Sequence, residues 1–130
     1  MERKEYQRKY IKAWRQRNKE RVRKMERERW HSQTPEQKAD KVAKNKARRQ
    51  RLRLEAIKNY GGKCACCGES EMNFLCIDHI GGGGNKHRKE ITTKSIGEWL
   101  YVNKYPKGFQ VLCHNCNMAE GIYGICPHKS

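Results

Sequence analysis

The sequence predicts a small α+β protein in which a long, basic helical arm precedes a compact, cysteine-rich domain. The formal charge of +16 is carried mainly by residues 1–60, which hold 22 Lys/Arg against 8 Asp/Glu. All 7 cysteines follow residue 60, and the hydrophobic content of 35% is too low for one large core. We therefore expect an arm over residues 1–59 and a folded domain over residues 60–130.

The arm is expected to be helical on local signals. "TPEQ" at 34–37 is typical of a helix start, because it offers a threonine cap, a first-turn proline and a glutamine that completes a capping box. This predicts a helix over 35–59 that "YGG" ends. The residues before it indicate one long, charged helix, on which Tyr6, Tyr10 and Trp14 share a narrow face. We interpret that stripe as a packing seam rather than a base-stacking platform.

The charge of the arm favours a polyanion partner. A net charge of +14 over residues 1–60 repels itself unless phosphates neutralise it, so we expect the arm to bind nucleic acid. For the free protein, a solvated and partly disordered helix is the other interpretation. No signal-peptide core and no apolar run near the ~20 residues of a membrane span is visible. We expect no membrane partner and a cytoplasmic location.

The second half alternates short apolar runs with turn residues. We expect strands within 73–80 and 108–112, a helix within 95–105 and another that begins near residue 115. The glycine run at 81–84 matches neither common phosphate-loop pattern, and no helical pattern begins at its end. A nucleotide-binding loop is therefore not expected there.

Two C-x-x-C pairs predict one structural zinc site. Cys64 and Cys67 form the first pair, and Cys113 and Cys116 form the second. Four thiolates meet the tetrahedral geometry and soft-ligand preference of Zn²⁺, and a reducing compartment favours metal over disulfides. Such a closed site holds the fold together rather than performing chemistry.

The remaining cysteines carry weaker signals. Cys66 is an alternative ligand, and Cys76 is expected to be a small core residue on a strand. Cys126 lies close to His128, and we interpret it as a thiol of the tail rather than part of a second metal site.

A set of polar residues beside the second cysteine pair indicates phosphodiester chemistry. Asp78 and His79 end the first predicted strand, where a carboxylate suits Mg²⁺ or Mn²⁺ and a histidine suits activation of water. Asn117 directly follows the last paired cysteine, and Glu120 lies on the same helical face. Alone, Asp78 and His79 would equally be a hydrogen-bonded surface pair; together, the four residues predict metal-assisted hydrolysis.

The segments "CACCG", "IDHIGG" and "VLCHNCNMAEG" together resemble the HNH (ββα-metal) nucleases, particularly the phage recombination endonuclease VII group, over roughly residues 60–124. The resemblance implies a zinc-stabilised ββα-metal nuclease domain that hydrolyses DNA with a single divalent ion. It implies that Asp78 and Asn117 bind Mg²⁺ or Mn²⁺. It also implies that His79 is the general base and that Glu120 assists at the metal or substrate. A phage origin, and hence the host cytoplasm, follows from the resemblance alone.

The sequence departs from that family at two positions. Gly108 stands where many HNH sequences have an asparagine, for which Asn85 and Asn103 are the substitutes at hand. Gly81 stands where the endonuclease VII group often has a further histidine, a position that His87 would fill instead.

The main alternative is a non-catalytic zinc-ribbon DNA-binding protein. It would need only the cysteines and the basic charge, and the Asp-His and Asn/Glu set would be idle. A redox or RNA-binding protein is a more distant alternative, since no RNP-like aromatic pattern is present. The sequence leaves open whether the DNA is duplex or branched and whether the protein is a homodimer.

Overall fold

The computed structural model describes residues 2–93 and 95–130, which form six α-helices and a two-stranded sheet. The arrangement confirms the expected α+β class. The helices and strands, in chain order, are α1 (Arg3–Arg17), α2 (Lys19–His31), α3 (Pro35–Asn59), β1 (Leu75–His79), α4 (Gly84–Glu90), α5 (Ile96–Val102), β2 (Phe109–Cys113) and α6 (His114–Tyr123). Short 3-10 helices span Met72–Phe74 and Pro127–Lys129.

The chain divides into two compact units, one ending at Lys44 and the other beginning at Asn45. This division follows the contacts within the chain. The functional division into an arm over residues 1–59 and a nuclease domain over 60–130 stays a prediction. Among the helices of residues 2–93 and 95–130, none combines the length and apolar character that crossing a lipid bilayer requires.

In the first unit, the single helix expected before residue 31 is instead two helices, and that prediction was wrong. The break lies at Asn18, whose backbone φ and ψ of −110° and 31° are not helical. Its backbone N–H and its side-chain Nδ2 both donate to the carbonyl oxygen of Trp14, each at 2.9 Å. Asparagine competes with helical hydrogen bonds in this way, so one residue suffices to end α1 before α2 begins.

The aromatic stripe of α1 forms a packing seam only at Trp14, which is half-buried and lies beside Val22 and Met25 of α2. Tyr6 and Tyr10 are 63% and 56% exposed, and no residue of Arg3–Arg17 is buried. The interpretation from the sequence failed for the two tyrosines because charged side chains occupy most other positions of α1 and α2, and the few apolar residues of α2 lie at Trp14.

Helix α3 begins and ends as predicted. The backbone N–H of Gln37 donates to Thr34 Oγ1 at 3.2 Å, and the backbone N–H of Thr34 donates to Gln37 Oε1 at 3.0 Å, which completes the capping box. The helix ends at Asn59, and the N–H of Gly62, at a φ of +71°, donates back to Ile57 O at 2.9 Å.

The core of the second unit combines aliphatic side chains with thiols. Four of the eight buried residues of its largest cluster are cysteines. Its buried members are Ile57, Cys64, Leu75, Val111, Leu112, Cys113, Cys116 and Cys126. Because so few large aliphatic side chains are buried, burial of apolar surface alone provides limited stability.

Strands β1 and β2 are antiparallel, and α6 follows β2 without a loop and packs against both strands. The register places Asp78 opposite Gln110 and His79 opposite Phe109. The strands predicted within 73–80 and 108–112 are confirmed, as are the helices expected within 95–105 and near 115.

Helix α4 was not expected, and the prediction that no helix follows the glycine run was wrong. Gly81, Gly82 and Gly83 have φ values of +79°, +84° and +88°, so the run turns the chain sharply before α4 begins at Gly84. The ring of His87 on α4 packs edge-on against Trp99 of α5, with ring centroids 4.3 Å apart. This tertiary contact supports a helix too short to persist by propensity.

Candidate metal centre and catalytic cleft

The four cysteines of the two C-x-x-C pairs lie together at the end of the sheet. Their sulfur atoms are all within 4.8 Å of one another, and we call Cys64, Cys67, Cys113 and Cys116 the knuckle cluster. Cys67 Sγ lies 3.7 Å from Cys113 Sγ. Zn–S bonds of about 2.3 Å place tetrahedral sulfur ligands about 3.8 Å apart. The knuckle cluster is therefore compatible with a metal such as zinc.

In each C-x-x-C pair, the backbone N–H of the second cysteine points at the sulfur of the first. The N–H of Cys67 points at Cys64 Sγ at 3.5 Å, and the N–H of Cys116 points at Cys113 Sγ at 3.4 Å. Gly68, at a φ of +80°, reverses the chain after the first knuckle. The second knuckle is the start of α6, where the Cys113 side chain occupies the N-cap position.

The thiols of the knuckle cluster differ in acidity. Burial opposes ionisation of Cys64, but backbone hydrogen bonds from Cys67, Cys113 and Cys66 outweigh it and lower the pKa to about 6. Burial raises the pKa of Cys116, and the neighbouring thiols raise it further. The Cys116 thiol would therefore ionise at neutral pH only with a cation bound at its sulfur.

A second group of ligand atoms lies beside the first. The sulfurs of three cysteines and a ring nitrogen of one histidine are within 4.8 Å of one another, and we call Cys66, Cys116, Cys126 and His128 the tail cluster. His128 Nδ1 is 3.4 Å from both Cys116 Sγ and Cys126 Sγ. The chain reaches this position because Gly124, the residue that follows α6, has a φ of +78° and turns the chain back.

Cys126 belongs to this group of ligand atoms and is not the isolated thiol of the tail that the sequence suggested. Its exposed fraction is 2%, and backbone hydrogen bonding near His128 lowers its pKa to about 7. The signal in the sequence was the Cys-Pro-His spacing at 126–128, which places two ligands on one turn. Cys66 joins the same group, whereas Cys76 is half-buried on β1 with its Sγ 3.4 Å from Leu112 O.

The four residues predicted to perform hydrolysis line one open cleft of about 550 Å³. They come from β1 and α6, and they are Asp78, His79, Asn117 and Glu120. All four are partly exposed, as groups that must meet a substrate have to be. The structure therefore brings together residues that lie nearly forty positions apart in the chain.

The carboxylate of Asp78 is oriented from the facing strand. Gln110 Nε2 donates to Asp78 Oδ2 at 2.9 Å. The two residues are directly opposite in the β1–β2 register, so their side chains share one face of the sheet. The sequence did not single out Gln110, although the strand register, once known, makes it the neighbour of Asp78.

His79 is paired with the other histidine that the sequence suggested. His79 Nε2 and His87 Nδ1 are 2.8 Å apart, and the His79 ring also packs on Phe109 with centroids 4.8 Å apart. Burial lowers the pKa of His79, and the nearby His87 lowers it further against a smaller opposing effect of Asp78. A Cβ on Gly84 would lie 3.1 Å from His79 Nδ1, so glycine there keeps this nitrogen uncrowded.

The positively charged side chain of Lys129, near the C-terminal end, lies at the edge of the cleft. Lys129 Nζ lies 3.4 Å from Glu120 Oε1, and both residues line the cleft. The charge of Glu120 raises the pKa of Lys129. Both side chains are at least one-third exposed, so we expect the pair to contribute little to stability.

Neither Asn85 nor Asn103 lines the cleft, although both were considered as substitutes for the asparagine that many HNH sequences have at the position of Gly108. Asn103 caps the C-terminus of α5, where its Nδ2 donates to Trp99 O at 2.8 Å. Asn85 is exposed on α4. At the position of the missing asparagine, the Gly108 carbonyl accepts a hydrogen bond from the N–H of Ile80 at 3.0 Å.

Comparisons with protein-family models, with curated proteins and with solved structures found no match to this chain.

Proposed function

We propose that this protein is a metal-dependent DNA endonuclease of the HNH (ββα-metal) type. The observation that carries the proposal is the single cleft that gathers Asp78, His79, Asn117 and Glu120. A carboxylate and an amide for a hard cation, together with a histidine for water, are the groups that phosphodiester hydrolysis requires. The cleft lies on two antiparallel strands and the helix that follows them, which is the order of elements in a ββα motif.

The cation would be held by oxygen atoms of Asp78 and Asn117. Among the described residues, only the knuckle and tail clusters bring three or more His, Cys, Asp or Glu ligand atoms within 4.8 Å. A Mg²⁺ site does not need such a cluster, since Mg²⁺ keeps several water ligands and binds through one or two protein oxygens plus phosphate. When bound, the cation would neutralise charge on the scissile phosphate and on the leaving oxygen.

The proton from the attacking water would go to His79. If Nε2–H of His79 donates to His87 Nδ1, then Nδ1 of His79 carries the lone pair that accepts the proton. The lowered pKa keeps His79 neutral, and hence basic, at pH 7. His87 is a positioning residue in this scheme because it selects the tautomer. Glu120 would assist at the edge of the cleft beside Lys129.

Zinc in the knuckle cluster would hold the nuclease domain together. Cys113 and Cys116 start α6, so a metal at their sulfurs fixes the end of the helix that carries Asn117. The site is saturated by four thiolates and would therefore be structural.

The arm would provide affinity for DNA through phosphate contacts. Helices α1 and α2 bury no residues, and their basic side chains are exposed to solvent. Such contacts make binding strongly dependent on salt but indifferent to sequence.

Purified protein incubated with supercoiled plasmid and with a four-way junction tests the proposal. We expect cleavage that requires Mg²⁺ or Mn²⁺ and that His79→Ala lowers by about 10²- to 10⁴-fold. His31→Ala is the matched control, because His31 is an exposed histidine at the end of α2. Comparing the two substrates shows which DNA form is preferred.

Two outcomes would contradict the nuclease proposal. One is DNA binding without metal-dependent cleavage, which favours the non-catalytic zinc-ribbon alternative. The other is cleavage that His79→Ala leaves unchanged, which would indicate a contaminating nuclease or another active site.

A further inference from the structure

We infer that the tail cluster binds a second zinc ion, which shares the Cys116 thiolate with an ion in the knuckle cluster. Cys116 belongs to both groups of ligand atoms, and its exposed fraction is only 1%. The inference rests on the zinc site proposed for the knuckle cluster, but not on the cleavage reaction.

The spacing of the tail cluster fits tetrahedral zinc. A Zn–S bond of about 2.3 Å and a Zn–N bond of about 2.0–2.1 Å place a sulfur and a nitrogen ligand about 3.6 Å apart. His128 Nδ1 lies 3.4 Å from Cys116 Sγ and 3.4 Å from Cys126 Sγ. Three sulfurs and one imidazole nitrogen form one of the common structural zinc ligand sets.

The tail is folded in a way that its own apolar content does not explain. Cys126 is buried, whereas its neighbours Ile125 and Pro127 are exposed. The 3-10 turn over Pro127–Lys129 then brings His128 back over Cys116 and Cys126. A metal that joins the tail to α6 and to the first knuckle accounts for the burial of this cysteine.

The net charge of the site is the same with one ion as with two. One Zn²⁺ with the four thiolates of the knuckle cluster has a net charge of −2, counted from the ligand set. Two Zn²⁺ ions with six thiolates, one of them shared, have the same net charge of −2. Two further thiolate ligands balanced by a second ion would therefore add no net negative charge to the protein interior, where excess charge is costly.

Zinc content of the reduced full-length chain tests the inference. After removal of loosely bound metal, we expect two zinc ions per chain in the wild type. We expect one in Cys126→Ser and one in His128→Ala, both of which keep the knuckle cluster. Cys76→Ser is the matched control and should retain two, since Cys76 belongs to neither cluster. Circular dichroism of each variant confirms that it remains folded.

A spectroscopic measurement tests the shared thiolate itself. In ¹¹³Cd-substituted wild-type protein, we expect two NMR resonances with different shifts, one from four sulfur ligands and one from three sulfurs and a nitrogen. The two should be coupled to each other through the Cys116 sulfur. Cys126→Ser should leave only the resonance of the four-sulfur site.

One zinc ion in the wild type, with the count unchanged in Cys126→Ser, would overturn the second site while leaving the knuckle site in place. Two ions in Cys126→Ser would also overturn it, because the second ion would then lie elsewhere. Absence of zinc from the wild type would refute both sites.

Discussion

Arg53→Ala should destabilise the second unit. In the sequence, Arg53 is one of many basic residues of the arm and does not differ visibly from those proposed to contact DNA. Arg53 Nη2 on α3 donates to the carbonyl oxygens of Met72 and Leu75, and the Met72 bond is 3.0 Å long. Leu75 is the first residue of β1, the strand that carries Asp78. The guanidinium therefore connects α3 to the start of β1.

The expected decrease in stability follows from these two bonds. A hydrogen bond with a charged partner contributes about 1.5–3 kcal/mol, so two of them set an upper limit of about 3–6 kcal/mol. Arg53 is partly exposed, and water can replace part of this contribution. We expect Arg53→Ala to lower the free energy of unfolding by about 2–4 kcal/mol.

Urea denaturation at constant zinc and reductant measures this change. Arg51→Ala is the control, because Arg51 is an exposed arginine on the same helix, and it should change stability by no more than about 0.5 kcal/mol. Well below the unfolding transition, DNA affinity of Arg53→Ala should match the wild type. Equal stability of the two variants would show that the bonds to β1 contribute nothing and would refute the reasoning.

Three further predictions concern the cleft and the arm. A general base must be neutral to accept a proton, and both burial and the nearby His87 lower the pKa of His79. The cleavage rate should therefore decrease only when the pH falls through a value below about 6.5, the ordinary pKa of histidine. His87→Ala should move that acid limb to higher pH, and an unmoved limb in pH profiles of kcat/KM would contradict the pairing. Gly84→Ala should lower the cleavage rate, since a Cβ at residue 84 would lie 3.1 Å from His79 Nδ1. The free energy of unfolding should change little, because alanine favours a helix more than glycine does. Full activity would show that the His79 ring can shift away from the added Cβ without loss of function. Replacing both Lys12 and Arg27 with glutamine should make the slope of log binding constant against log salt concentration less steep, by roughly 0.9 for each phosphate that the arm no longer neutralises. A slope identical to that of the wild type would show that DNA does not contact these two residues.

The elements that the sequence predicted well are those with complete local signals. The capping box at 34–37 and the glycines after Asn59 determine where α3 begins and ends, whatever packs against it. The two C-x-x-C pairs predicted a metal-compatible cluster because each pair forms its own knuckle. Asp78 and Asn117 were associated through their ligand chemistry and a family pattern, and the structure places both in one cleft.

The features that the sequence missed depend on individual side-chain contacts rather than on a periodic pattern. Helix α4 has seven residues and is supported by the packing of His87 on Trp99, a contact that no periodicity in its own sequence reveals. The break at Asn18 results from one side chain hydrogen-bonding to Trp14 O in a segment otherwise rich in helix formers. The role of Arg53 was hidden because the arm contains so many basic residues that none stands out.

On the proposed zinc assignment, folding of the cysteine-rich core would depend on the supply of metal. Half of the residues in the largest buried cluster are thiols, which in the absence of a cation are weak contributors to a core. On the zinc assignment proposed above, a newly synthesised chain would remain largely open and accessible to proteases until zinc reaches it. A zinc-starved cell would then degrade much of the polypeptide before it becomes active. In the purified protein, brief exposure to a strong chelator would remove activity that added zinc restores.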